Sequence, residues 1–333
     1  MPSAIIPLPR FMDPTLRFVI FGVFSSACLW GGYVARKRGW LDETVSRPIH
    51  FHTVVWTWSL AALFSLWKTP LQPQDLWLIV MQTAIVAAAG FGAIPVARLC
   101  GCTREQTGVI AIASSVGNFG FTLGAYLCYT LLDDGAAALT LAIVYVSIMQ
   151  VAGVILIYPL ARHYAGRSSA DTPLWRLIAA NFIDPRGLPL WGAVAGAVLA
   201  HHVPFPRVVR EYPLLDILFF VGAFGGYFGI GLRLRLGRSL HDWKAHAIVA
   251  GMKFAFIPLL TLAMLRGIGL VGSGLGPTAR QVVLVCSCMP AAIWVPMMAN
   301  LFHLDIRLAG SVWLWNTILF LLIPLPVLLW LLA

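Results

Sequence analysis

Lys253 stands ten residues into an apolar stretch running from about 243 to 265. A helix rising about 1.5 Å per residue would carry it roughly 15 Å deep, close to the middle of a bilayer. A lysine there costs on the order of 3 kcal/mol on insertion scales, so its side chain must face protein or water rather than lipid. Two other membrane-length stretches are interrupted at similar depth. Ser114-Ser115-Val116-Gly117-Asn118-Phe119-Gly120 divides the run from Val109 to Tyr129, and the segment from Cys286 through Met289-Pro290-Ala291-Ala292-Ile293-Trp294-Val295 to Pro296 divides the run from Gln281 to Phe302. Gly117, Gly120, Pro290 and Pro296 are the expected helix breakers. Backbone groups freed inside a bilayer cost several kcal/mol each when unsatisfied, so such breaks persist only where they line an enclosed or wet cavity. Each break also leaves a half-helix N-terminus with unpaired N–H groups and partial positive charge, which suits an anion such as an organic carboxylate. Ser114, Ser115, Gly117, Asn118, Phe119, Ala291, Ala292, Trp294 and Lys253 are therefore the candidate substrate-binding residues. Taken singly, each break could instead be a kink tolerated for packing. Lys253 has two readings: a countercharge or proton-releasing group for an anionic substrate, or a structural cation bonded to the helix C-termini that face it.

The elements that position these residues follow from composition. With 59% hydrophobic and 11% charged residues over 333 positions, and a mean hydropathy of +0.84, the chain reads as an all-α integral membrane protein. Ten stretches approach the roughly 20 residues a spanning helix needs: about 15 to 35, 49 to 67, 76 to 97, 107 to 129, 136 to 160, 187 to 203, 212 to 232, 243 to 265, 280 to 302 and 308 to 331. The first is long enough to span, and a proline-rich segment precedes it, so no cleavable signal is expected. The linker from Ala161 to Arg186 is polar and has room for one surface helix. Lysines and arginines other than Lys253 divide unevenly, 15 in or beside the odd-numbered connections against 7 in or beside the N-terminal segment and the even ones. The positive-inside rule then makes the odd connections cytoplasmic and puts both termini on the outer face of the plasma (inner) membrane. Tryptophans near span ends, among them Trp30, Trp67, Trp77, Trp243 and Trp330, fit an interfacial belt.

Spans 3 to 5 and 8 to 10 read as one unit used twice. Asp75-Leu76-Trp77 and Asp242-Trp243 each open a helix that later carries an Ile-Pro pair, Ile94-Pro95 and Ile257-Pro258. Thr103-Arg104-Glu105-Gln106 and Thr278-Ala279-Arg280-Gln281 each open a broken helix, and overlaying Gln106 on Gln281 lays Val116 over Ala291. Five spans separate the copies, an odd number, so the second is inverted in the membrane. The expected organisation is a first repeat at 1–160, a cytoplasmic linker at 161–186 and a second repeat at 187–333, with broken helices 4 and 9 crossing.

Several chemistries find no support. The acidic residues, among them Asp75, Asp133, Asp134, Asp184, Glu211, Asp242 and Asp305, fall at span ends or in loops, which disfavours carboxylate-mediated cation exchange. Ser114, Ser115, Asn118 and Gln82 leave room for a weak sodium site. The histidines, including His50-Phe51-His52 and His201-His202, lie at span ends, and the Cys100-Gly101-Cys102 and Cys286-Ser287-Cys288 pairs lack zinc spacing. No nucleotide loop, dinucleotide fingerprint or hydrolytic triad is present, so neither an enzyme nor a cofactor is expected, and the charge of +10 is ascribed to topology rather than to nucleic acid.

Gly117-Asn118-Phe119-Gly120-Phe121-Thr122-Leu123-Gly124, Met289-Pro290-Ala291-Ala292, and Lys253 followed by Pro258 resemble patterns of the auxin efflux carrier family, within the bile/arsenite/riboflavin transporter group that includes the bile acid:sodium symporters. The likeness extends over nearly the whole length. It implies an elevator-like carrier of a small organic anion, with spans 1, 2, 6 and 7 as scaffold, spans 3 to 5 and 8 to 10 as moving core, and a homodimer through the scaffold. The chain departs from the family where the proline after the Gly-Phe pair is missing, where Ala291 replaces a second proline, and where Trp294 replaces an asparagine of plant members. The indole either stacks on an aromatic or apolar substrate or fills the pocket. In the second case the chain would be a transport-inactive structural or lipid-binding subunit of a membrane assembly.

Overall fold

The computed structural model describes residues 14–68, 76–120, 123–165, 174–211, 214–234, 242–270 and 274–332. Asp75, Phe121, Thr122, Arg167, Arg235, Arg238 and the segment before Pro14, on which some sequence expectations rest, lie outside them. Among the described residues every regular element is a helix: α1 (Pro14–Lys37), α2 (Glu43–Lys68), α3 (Leu76–Leu99), α4 (Arg104–Ser115), α5 (Gly124–Leu131), α6 (Ala137–Tyr164), α7 (Leu174–Ile183), α8 (Leu188–His202), α9 (Arg207–Glu211), α10 (Leu214–Gly231), α11 (Trp243–Leu270), α12 (Pro277–Ser287), α13 (Trp294–Phe302) and α14 (Ile306–Leu331). Six of them, α1, α2, α3, α6, α11 and α14, are long and apolar enough to cross a membrane. The linker carries α7, as its length allows. Residues 107 to 129 and 280 to 302 are each split, into α4 with α5 and α12 with α13.

Local chemistry explains most boundaries. Thr103 caps α4 in a capping box, its hydroxyl accepting from the Gln106 N–H while the Gln106 side chain accepts from the Thr103 N–H. The second broken segment opens one residue before the expected Thr278, at Pro277, where a first-turn proline loses nothing. Asp305 caps α14 through the Leu308 N–H at 2.9 Å. In α11 a π-helical turn, Met252–Phe256, immediately precedes Ile257-Pro258 and carries Lys253. Such turns relieve the register that a proline without N–H disrupts. Two further π-helical turns occupy Thr53–Trp58 in α2 and Gly153–Ile157 in α6. α14 is itself interrupted at Ile323, before Pro324, a break not anticipated above.

Small residues let two helix pairs approach backbone to backbone. A Cβ on Gly32 would meet the Phe228 carbonyl at 2.2 Å and one on Gly231 would meet the Leu29 carbonyl at 2.1 Å, which joins α1 to α10. Gly192 and Gly196 do the same for α8 against the Ser59 and Leu63 carbonyls of α2, at 2.4 and 2.3 Å. Across from these pairs, α3 lies on α4 with Gly90 under Ser115, where a Cβ would stand 2.4 Å from Oγ. Trp30, Trp243 and Trp330 are exposed, as residues of an interfacial belt would be.

Candidate functional site

The two breaks meet each other. Gly117 and Ala291 pair as a single antiparallel bridge, the Asn118 N–H donating to the Pro290 carbonyl at 2.8 Å and the Ala292 N–H donating to the Val116 carbonyl at 3.2 Å. These bonds satisfy groups that two interrupted helices would otherwise leave bare in an apolar surrounding. As in any antiparallel bridge the two bonds are reciprocal, and the paired residues Gly117 and Ala291 are 174 positions apart. The overlay of Gln106 on Gln281 implies 175, one residue away.

Further donors are accounted for nearby. Asn118 and Phe119 carbonyls accept from the first N–H groups of α5, at Gly124 (3.0 Å) and Ala125 (2.9 Å). The Ala291 N–H donates to Asn316 Oδ1 at 2.6 Å, inside the protein. Asn316→Leu would strand that donor, at a cost of about 1–3 kcal/mol. A thermal melt of the purified variant is therefore expected to show a clearly lower midpoint; an unchanged midpoint would mean that the Ala291 N–H does not depend on Asn316.

At α13 the first turn is left partly open. The Val295 N–H donates to the Ala292 carbonyl at 3.0 Å, and Pro296 has no N–H to place. Pro296, expected as a helix breaker, instead sits in that first turn, where helices leave their N–H groups unpaired in any case. The interruption ends before it, at Ile293. Among the described residues the N–H groups of Ile293 and Trp294 have no hydrogen-bond partner.

Those two residues line a cavity, together with Ala292 and, from the other break, Gly117, Asn118, Phe119 and Gly120. Its remaining walls come from Phe21 of α1, Trp58 of α2, Val146 and Met149 of α6, and the face of α10 from Phe219 to Tyr227. Five of the expected site residues thus gather here: Gly117, Asn118, Phe119, Ala292 and Trp294. Ser114, Ser115 and Ala291 do not line it and are buried behind the breaks. Ser115 Oγ donates back to the Ala111 carbonyl at 2.8 Å, and Ser114 Oγ has no partner among the described residues.

Lys253 is also absent from the wall. Its side chain is 1% exposed, and its ammonium lies over the Phe119 ring at 5.9 Å from the centroid. None of the ion pairs among the described residues includes it. The charge therefore stands one aromatic ring behind the cavity, where it can act through potential in a low-dielectric interior but not by contact. The Phe119 ring, packed edge-on against Tyr145 at 5.1 Å, also explains Gly117, because a Cβ there would meet it at 2.3 Å.

Trp294 does not plug the cavity. The far edge of its indole is tucked against Gly153, where an added Cβ would lie 2.0 Å from Cη2, and the ring meets that of Tyr158 at 5.8 Å. The glycine at the start of the π-helical turn in α6 makes room for the ring outside the central space.

Sequence reasoning missed a buried polar network. His50, assigned to a comfortable span end, is 1% exposed, and its Nδ1 lies 2.9 Å from Asn300 Nδ2, which also donates to Ser46 Oγ at 3.0 Å. Asn300 and Asn316 are as unusual inside apolar runs as Asn118 is, and that signal would have found them. No known family model matches the chain, and no curated protein matches it either.

Proposed function

We propose that this chain is a secondary carrier of small organic anions, selecting a carboxylate attached to an aromatic or apolar body. The observation that carries this reading is the cavity in which both breaks meet. Asn118 and the N–H groups of Ile293 and Trp294 supply the polar side, whereas Phe21, Trp58, Phe119, Phe219 and Tyr227 supply an aromatic one. The N-terminus of α13 adds a partial positive charge, and the Lys253 nitrogen lies behind Phe119. No enzyme chemistry or cofactor enters. A benzene-sized ring buries on the order of 150 Å2, which at about 25 cal/mol per Å2 contributes roughly 4 kcal/mol.

The contact between the two breaks, within one residue of where the internal overlay aligns them, supports two inverted repeats of five spans, with the crossing of broken helices 4 and 9 as the site. The close pairs α1 with α10 and α2 with α8 support a scaffold of spans 1, 2, 6 and 7, against which the remaining spans move as an elevator. Termini on the outer face of the plasma membrane, a scaffold homodimer and kinship with auxin efflux carriers complete the reading. The tucked position of Trp294 weighs against a filled pocket and so against a transport-inactive subunit.

Uptake into proteoliposomes of purified protein tests the substrate class. Benzoate and 2-naphthoate are expected to enter at least about tenfold faster than succinate or citrate, because an additional carboxylate would be desolvated against apolar walls. Equal rates for all four, or no uptake of any, would contradict it.

A further inference from the structure

A second, partly open recess lies between α2, α10, α13 and α14. His50 of α2, Gly229 of α10, Pro296 of α13, and Arg307 and Ser311 of α14 line it, with Arg233 just beyond the end of α10. Both cavities use the same two helices in the same order. Along α10 the central cavity takes Phe219 to Tyr227 and the second begins at Gly229; along α13 the central cavity takes Trp294 and the second takes Pro296. Between them Ile293 and Met297 lean on Gly226, where a Cβ would stand 3.1 Å from Ile293 Cδ1 and 3.4 Å from Met297 Sδ. The contact is apolar, so it can part without breaking a hydrogen bond.

The chemistry of the two spaces differs. No charged side chain lines the central cavity, whereas the second recess has two guanidinium groups, an imidazole and a hydroxyl. Arg233 Nε donates to Ser46 Oγ at 2.5 Å, and that hydroxyl donates onward to the Glu43 carbonyl at 2.8 Å. His50 Nδ1 lies 2.9 Å from Asn300 Nδ2, and its Nε2 faces the Gly226 carbonyl at 3.4 Å. Arg307 lies in the first turn of α14 with 43% of its side chain exposed, and its ion-pair partner Asp242 is 3.8 Å away. Asp42 is a further carboxylate within electrostatic reach of Arg233.

We infer that this recess is an antechamber for the transported anion, in which Arg307 and Arg233 hold a carboxylate before it passes Ile293 and Met297 toward Asn118. Guanidinium groups suit this role because their planar donors meet a carboxylate two at a time, and an exposed arginine releases it readily. The inference rests on the carrier reading above, and it adds a second binding site on the arginine-rich side of Ile293 and Met297.

Equilibrium binding of radiolabelled benzoate to the whole protein in phosphatidylcholine nanodiscs tests it. Two sites per chain are expected. Arg307→Gln should remove one and raise the KM for entry from the arginine side about tenfold with little change in kcat, and Arg307→Lys should restore much of the loss. Asn118→Ala should remove the other site. Arg307 is partly exposed, so its variants are expected to elute as the native protein does, and Arg233→Lys provides an independent second variant. A single site lost in Asn118→Ala and untouched by Arg307→Gln would overturn the antechamber and leave the carrier intact. No binding and no flux in any form would remove the carrier reading and the antechamber with it. If phosphatidylglycerol in the nanodisc expels benzoate from the Arg307 site alone, the recess belongs to a lipid headgroup and the inference fails.

Discussion

Asn118→Ala is expected to lower kcat/KM for uptake of an aromatic carboxylate by about 10- to 100-fold. A hydrogen bond to a charged group contributes about 1.5–3 kcal/mol, and each 1.4 kcal/mol is a factor of ten. Asn118 is the polar side chain that the first break presents to the cavity, where little water can substitute for it. The main-chain bonds at this position, the Asn118 N–H to Pro290 across the breaks and its carbonyl to the Gly124 N–H at the start of α5, do not use the side chain and remain in the variant. Proteoliposome uptake alongside a melting curve separates the two effects. Flux that stays at the native level in a folded Asn118→Ala protein would remove Asn118 from the site.

Gly153→Leu is expected to abolish transport and destabilise the protein. Even the first added carbon would lie 2.0 Å from the Trp294 indole, far inside van der Waals contact. Either the ring swings away from α6 or α6 moves off α13. Overpacking of this kind costs about 1–3 kcal/mol, and here a displaced indole has the cavity as its nearest free space. Gly153→Ala should show the same defect more mildly, and combining it with Trp294→Leu should recover melting temperature and part of the flux. A Gly153→Ala protein with native flux and stability would show that the indole is not seated on that glycine.

The breaks are legible in the sequence because membrane helices have few ways to be interrupted. Glycine, proline and asparagine inside an apolar run mark one, and the internal overlay places Val116 over Ala291 within one residue of the observed bridge. The burial of Lys253 in protein is legible too, because a lysine so far into an apolar run must avoid lipid. That Phe119 separates it from the cavity is not, because spacing along one helix carries no information about which ring lies over which charge. Pro296 misleads because proline breaks a helix interior but is harmless in a first turn, and only the observed start at Trp294 distinguishes the two. The aromatic walls at Trp58 and Phe219 are hidden by composition: where lipid and protein interior are equally apolar, residues facing either look alike. Asn300 and Asn316 could have been found. They are polar residues in apolar runs, and each completes a hydrogen bond that the fold requires.

Transport by this chain requires a carboxylate to bind where the two interrupted helices meet. Crystals of the protein grown in lipidic mesophase with saturating 4-iodobenzoate would locate the ligand by the anomalous signal of its iodine. The expected result is an iodine peak among Trp58, Phe219 and Tyr227, with the carboxylate within hydrogen-bonding distance of Asn118 and the N–H groups of Ile293 and Trp294. An iodine peak confined to the lipid-facing surface, with the cavity empty at saturation, would contradict it.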